Sequence, residues 1–259
     1  MPLRSDLQRA RLLPKVRWVA KQGLVQWDLF QHRNDPAVRS WRSVLVGQRF
    51  GHIVVPSVAI ESSRREATDF AQRGLVHPGD SVLDVGGGNG RQAIGLLELG
   101  VASYTGLEVV RGSVAFANAA FANHPSVHFD FFDVHNEMYN PRGTQRPEFA
   151  VFPYEAGTFD FVVALSLYTH LERIEVVERY VAETARVLGD SGTAFMSFFR
   201  SPPNAPSESA VRTVFGEGDI LRVVGAHFDV LDAAGGSTIA FHDQWRLYLR
   251  KRASPADSR

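Results

Sequence analysis

Ser81-Val82-Leu83-Asp84-Val85-Gly86-Gly87-Gly88-Asn89-Gly90 is the stretch whose reading decides the fold. Its first half is an apolar, β-branched run of the kind a buried strand needs. Its second half sets glycine at 86, 88 and 90, where the backbone must turn sharply and leave room for a ligand. Arg91 to Leu99 follow, with apolar residues at 93, 94, 96, 97 and 99, the pattern of a helix laid on a sheet. Strand, glycine loop and helix together predict a nucleotide pocket at the carboxyl end of a parallel sheet.

The spacing is G-x-G-x-G, and Arg91 stands where a dinucleotide fingerprint wants its last glycine. Asp84 lies on the strand two residues before the first glycine. A carboxylate there would repel a pyrophosphate and attract a sulfonium or an ammonium. As VLDVGGGNG, the stretch resembles the first motif of the class I, Rossmann-like S-adenosylmethionine (SAM)-dependent methyltransferases. The resemblance runs from about residue 65 to 250. It implies an α/β fold with a seven-stranded, mostly parallel, doubly wound sheet whose last strand is antiparallel. It also implies SAM as cofactor, with Asp84, Gly86, Gly88 and Gly90 around it.

Length and composition agree with a globular enzyme. A chain of 259 residues, 44% hydrophobic and 22% charged, can bury a sizeable core. No apolar run approaches the ~18 residues of a membrane span, and no signal-peptide core is visible, so a cytoplasmic location is expected. There is no cysteine, hence no disulfide and no thiolate metal site, and no metal is expected. The net charge of zero hides an asymmetry. Residues 1–50 carry ten Lys/Arg (4, 9, 11, 15, 17, 21, 33, 39, 42, 49) against three acids (6, 28, 35), and the remainder is correspondingly acidic. This basic leader reads as a solvated helical face, or as an attractor for an anionic acceptor or an anionic membrane surface in peripheral contact. Nucleic acid is not expected, since the whole chain is neutral and carries no nucleic-acid-binding motif.

Three segments follow: a helical cap over 1–75, the SAM-binding domain over 76–252 and a frayed tail over 253–259. Helices are expected over Ser57 to Gly74, Ser113 to Ala122, Glu175 to Leu188 and 207–224. Ser103 to Glu108 is the second strand, and the family resemblance makes Glu108 the carboxylate for both ribose hydroxyls. Val127 to Asp133 is the third strand. Asp133 and Val134 resemble the family's acid-plus-apolar pair, the acid taking the adenine amino group and the next N–H facing the ring; Asp130 competes for the first role. Residues 135–157 form a long, proline-interrupted insertion, either a surface excursion or a lid or acceptor wall. Thr158 to Leu165 is the central fourth strand. Ser166 to Glu172 then lie where the methyl group would be presented, and Ser166 joins the cofactor set. Gly189-Asp190-Ser191-Gly192 is a turn into a fifth strand, Thr193 to Phe199, and two further strands cover Phe228 to Leu231 and Gln244 to Leu249.

Within such a family, absent residues narrow the acceptor. Methylation at a pyrimidine ring carbon generally needs a cysteine nucleophile, and this chain has none. Amino and amide acceptors of the Asn/Asp-Pro-Pro-Tyr/Phe enzymes need a turn that Ser166-Leu167-Tyr168-Thr169 does not supply. A small-molecule hydroxyl or amine remains. His170, beside the end of the fourth strand, is the candidate base for a hydroxyl, because imidazole with a pKa of ~6.5 accepts protons near neutrality. His242, next to Asp243, is the second candidate and His135 the third. The Ser-Leu-Tyr-Thr-His-Leu segment, with His-Asp-Gln before the last strand, resembles methyltransferases found with glycan and sugar-pathway enzymes. The competing readings are N-methylation of a small molecule, a SAM-binding module without catalysis, and a dehydrogenase of the same architecture, which Arg91 and Asp84 disfavour.

Overall fold

The computed structural model describes residues 23–42, 56–201, 213–235 and 244–253. Residues 23–31 are helical (α1), followed by α2 (Pro36–Ser40) and α3 (Pro56–Gln72). The alternating part opens with β1 (Ser81–Val85), α4 (Arg91–Leu99), β2 (Ser103–Glu108), α5 (Arg111–Ala120) and β3 (Val127–Phe131). After the insertion come β4 (Phe159–Ala164), α6 (Ile174–Val187), β5 (Leu188–Ser201), β6 (Val214–Gly216), α7 (Glu217–Gly225), β7 (Phe228–Ala234) and β8 (Trp245–Lys251).

The sheet runs β3-β2-β1-β4-β5-β8-β7, with β6 paired to β5 off this path. β1 lies between β2 and β4 and is parallel to both, so its side chains are covered on each face. Leu83 and Val85 enter the core under α6 and α7. Val82 enters the opposite core, with Phe70, Ile94, Tyr104, Phe161 and the leader residues Val25, Leu29 and Trp41. Among the described strands, β8 alone runs antiparallel to its neighbours, as the fold class requires.

Local chemistry explains how the leader docks. Asp28 accepts the backbone N–H of Ser57 (2.8 Å) and its hydroxyl (2.7 Å), pinning α1 to the start of α3. Trp41 stacks on His124 (4.9 Å between centroids) and donates to Glu98 (3.0 Å), which also pairs with Arg64. α3 and α4 cross so closely that a Cβ on Gly95 would overlap the Ser63 carbonyl, while the Gly95 N–H donates to the Ser63 hydroxyl (2.8 Å). The basic side chains at 4, 9, 11, 15, 17 and 21 lie outside the described residues.

Two elements differ from the sequence expectation. Leu188 pairs with Phe159 and Thr193 with Phe161, so Gly189 to Gly192 loop out as a bulge within one long β5 instead of ending it. Residues 214–216, expected inside a helix, extend along Phe199 to Ser201 as β6, and the helix is described only from Glu217. The N–H of Thr213 is taken by the Thr169 carbonyl (2.9 Å), which ties this strand to the segment following β4.

Candidate active site

A cavity of about 830 Å³ opens at the carboxyl ends of β1, β2 and β4. Its first part is built from Gly86, Gly88, Glu108, Val109, Val110, Ser113 and Val134. Gly86 and Gly88 adopt φ of 80° and 56°, left-handed conformations that glycine enters without strain. Glu108, 8% exposed, joins loop to strand: its carboxylate accepts the N–H of Gly88 (2.9 Å) and of Val110 (2.8 Å). Burial raises its pKa while those backbone bonds pull it back. Two N–H donors leave further lone pairs on a carboxylate, so ribose hydroxyls can still be accepted there. Val109, Val110 and Val134 give this end of the cavity an apolar wall. The chemistry of this end thus fits the nucleoside of SAM, and the cavity is large enough to admit an acceptor beside it.

The second part is made by the insertion and by the turn after β4. Asn136 to Tyr139, Arg146 to Glu148, and His170 to Arg173 line it. Glu148 pairs with Arg173 and, at 3.7 Å, with Arg146. His170 sits in the short 3₁₀ turn Tyr168–His170, with its Nε2 3.5 Å from the Tyr139 hydroxyl and the two rings edge to face at 5.2 Å. Ser166 is the one described non-glycine residue with positive φ (61°). Its N–H donates to Ser197 (2.7 Å), and its hydroxyl accepts from the Gln244 amide (2.8 Å). These bonds hold a conformation that costs roughly 1–3 kcal/mol, of a kind that clusters at active sites.

Gly86, Gly88, Glu108, Val134, Ser166, His170 and the third-ranked His135 therefore share one cavity. Gly90 caps α4 (φ 83°) against Phe121 rather than lining the cavity. Asp84 is 2% exposed and turns from the cavity to the Tyr104 hydroxyl, which donates to it. Burial pushes its pKa up to about 7, opposed by the Tyr104 bond and by Arg91. Asp133 is also absent from the cavity wall. Its carboxylate accepts the Thr144 hydroxyl (2.8 Å) and the Asn140 amide (3.3 Å), and these bonds with nearby Arg111 hold its pKa down. The Val134 N–H is turned to the Phe132 carbonyl (2.8 Å). Asp130 is engaged by Tyr154 (3.0 Å) and His128 (2.9 Å). His242 and Asp243 lie outside the described residues, next to Gln244. Tyr139, Arg146, Glu148 and Arg173 were not singled out from sequence, because the first three sit in an insertion with no periodicity to place them.

A glycine loop beside a strand-end carboxylate, on a parallel sheet with one reversed strand, is the arrangement that the resemblance to class I SAM-dependent methyltransferases implies. Residues 83–196 match a protein family described as "Methyltransferase domain". The matched stretch, which holds the glycine loop, Glu108 and the turn after β4, is thus similar to a methyltransferase domain, and the fold around it is the class I, Rossmann-like one. The chain's fold is similar to that of a SAM-dependent methyltransferase from Methanosarcina mazei (13% identity, TM-score 0.55, covering 71% of this chain and 98% of that one). It is also similar to the 1,6-didemethyltoxoflavin-N1-methyltransferase of Burkholderia thailandensis, solved with its substrate and S-adenosylhomocysteine (21%, 0.55, 85% and 90%). A TehB-like SAM-dependent methyltransferase from Corynebacterium glutamicum is a third (14%, 0.51, 86% and 99%). Among the described residues, no helix is long and apolar enough to cross a membrane and no side-chain group could hold a metal ion.

Proposed function

We propose that the chain transfers the methyl group of SAM to a hydroxyl of a small molecule, with a sugar or glycan as the acceptor class, in the cytoplasm. The observation that carries this reading is His170, an imidazole on the cavity wall immediately beyond β4 with its Nε2 toward the Tyr139 hydroxyl. When bound, SAM supplies a methyl group already activated on a sulfonium. The protein's own work is then alignment and removal of one proton. Glu108 receives the ribose hydroxyls, the valines at 109, 110 and 134 flank the base, and Gly86 and Gly88 leave the loop open. His170 accepts the acceptor's O–H proton at Nε2 as the oxygen becomes nucleophilic, and releases it to solvent afterwards. An amine acceptor attacks through its lone pair and needs no such base, so the presence of His170 supports oxygen over nitrogen.

The test is a methyl-release screen of the purified protein with SAM against sugars, phenols and amines, repeated with His170→Ala. Loss of a positioned base should cost about 10²–10⁴ in kcat for a hydroxyl acceptor, with the affinity for S-adenosylhomocysteine little changed. Turnover of amines alone, or undiminished turnover of a hydroxyl acceptor by the variant, refutes the reading; His242 with Asp243 is then the next pair to replace.

A further inference from the structure

Residues 133–145 form an arm closed by hydrogen bonds among its own residues. Asn136 and Asn140 pair antiparallel, with N–H···O distances of 3.1 and 2.9 Å. The Asn136 side-chain oxygen accepts the N–H groups of Met138 (3.1 Å) and Tyr139 (2.9 Å), fixing the turn between them. At the base, Asp133 acts as a clasp. Its carboxylate holds Thr144 (2.8 Å) and Asn140 (3.3 Å), and its carbonyl accepts the N–H of Thr144 (3.1 Å) and Gln145 (3.0 Å). Asn140 adds a bond to the Val134 carbonyl (3.0 Å).

Burial does not explain this investment. Met138 and Tyr139, the apolar residues at the tip, are 49% and 42% exposed. What the arm does reach is His170, and it reaches it twice. The Asn136 amide donates to the His170 carbonyl (3.3 Å), and the Tyr139 hydroxyl stands 3.5 Å from Nε2. The second distance is long for an O–H···N bond, as bonds of this kind often are before ligands bind.

We infer that the arm is a positioning device: Tyr139, held by the Asp133–Thr144 clasp, orients the His170 ring toward the cavity and selects the tautomer that carries its proton on Nδ1. The inference rests on the reading of His170 as base. The Tyr139 hydroxyl donates to Nε2 and keeps that lone pair facing the cavity, where an acceptor hydroxyl replaces it and delivers its own proton. A ring free to rotate about χ2 would present either nitrogen, and only one of them faces the substrate. Tyr139 and Asp133 are positioning residues, since they act through His170.

The experiment needs no acceptor. Protein labelled with ¹⁵N-histidine and saturated with S-adenosylhomocysteine is observed by NMR, with the His170 ring signals assigned from His170→Gln. The wild type should give a single tautomer with Nε2 unprotonated. Tyr139→Phe should shift both ring nitrogens toward a tautomer mixture. Thr144→Val, which removes the hydroxyl from the clasp, should move them the same way, and Thr144→Ser should leave them in place. Calorimetry should give the same S-adenosylhomocysteine affinity for wild type, Thr144→Val and Thr144→Ser, so that a shifted ring signal reports the clasp and not an empty site. Unchanged ring signals in Tyr139→Phe overturn the inference. Thr144→Val signals identical to those of Thr144→Ser overturn the clasp. The base assignment is judged separately: if His170→Ala lowers kcat for a hydroxyl acceptor by about 10²–10⁴ while Tyr139→Phe leaves the ring unmoved, only the positioning role falls.

Discussion

Replacing Asp84 by Asn should flatten the pH dependence of stability, with the advantage passing to Asn as pH rises. Asp84 is buried on the core side of β1, and its pKa is pushed from 3.8 to about 7, first by burial, against the Tyr104 hydrogen bond and the Arg91 charge. Between those two values the folded protein holds a proton that the unfolded chain has already released. Protonation thus favours the folded state: the associated stability is complete below the unfolded pKa and is lost as pH climbs to the folded one. The separation of about three units, at 1.36 kcal/mol each, corresponds to ~4 kcal/mol. Asn cannot ionise, yet its carbonyl still accepts the Tyr104 proton. The difference in unfolding free energy, Asn minus Asp, should therefore grow by about 4 kcal/mol from about pH 4 to about pH 8. Urea unfolding of both proteins at half-unit pH steps measures it directly. Curves that stay parallel would show that Asp84 titrates alike in both states, and the account of its burial would fail.

Further outcomes follow from the same geometry. Glu108→Ala should weaken S-adenosylhomocysteine binding by about 1.5–3 kcal/mol in calorimetry, because it removes a charged acceptor; NAD should bind neither protein. Glu183, 3% exposed, accepts the Phe152 N–H and pairs with Arg179 and Arg186, which themselves hold the carbonyls of Ala150, Phe152 and Tyr154. Glu183→Ala should cost about 3 kcal/mol in denaturant unfolding by leaving buried partners unpaired. Burial pushes its pKa up, but those partners outweigh it and hold the pKa below the ordinary value, so its contribution is present above the ordinary glutamate pKa and fades as pH falls through the folded value. Gly95→Ala should destabilise by about 1–3 kcal/mol, since the added methyl overlaps the Ser63 carbonyl; an unchanged Tm would mean that α3 and α4 can part at no cost. Charge reversal at Arg4, Arg9, Arg11, Lys15 and Arg17 should raise the KM of an anionic acceptor at low salt and flatten its salt dependence; an unchanged KM returns the leader to a solvated face.

What could be read from sequence was what has a period or a punctuation mark. β1, its glycine loop and α4 were legible because a β-branched run meets three spaced glycines and then a helical stripe. β4 was legible because six residues, Phe159 to Ala164, are nearly all apolar, as a central strand must be. Gly189 to Gly192 carry turn chemistry, but they lie in a bulge within one strand, with pairing on both flanks. Local signals cannot show whether the ladder resumes in the same strand. β6 has only three residues and no alternation to read. Tyr139 and Glu148 lie in an insertion where hydrogen bonds to Asn136, Asp133 and Arg173 set the path, and such bonds leave no periodic trace.

Asp84 marks a subtler boundary. Its charge and its place before the glycines argue for a cationic ligand, and that argument assumes a side chain facing the cavity. A strand covered on both faces is apolar on both, so composition does not tell which face residue 84 shares. The register does: Val82 stands opposite Tyr104 and Asp84 opposite Gly106. Tyr104 therefore projects from the face that Val82 and Asp84 share, and its hydroxyl reaches along that face to the carboxylate. Gly106 has no side chain to intervene, and the ring of Phe129 closes over it. The burial that raises the Asp84 pKa, and the Tyr104 bond that opposes it, are thus consequences of pairing between β1 and β2, and the carboxylate that lines the cavity is Glu108, where β2 ends.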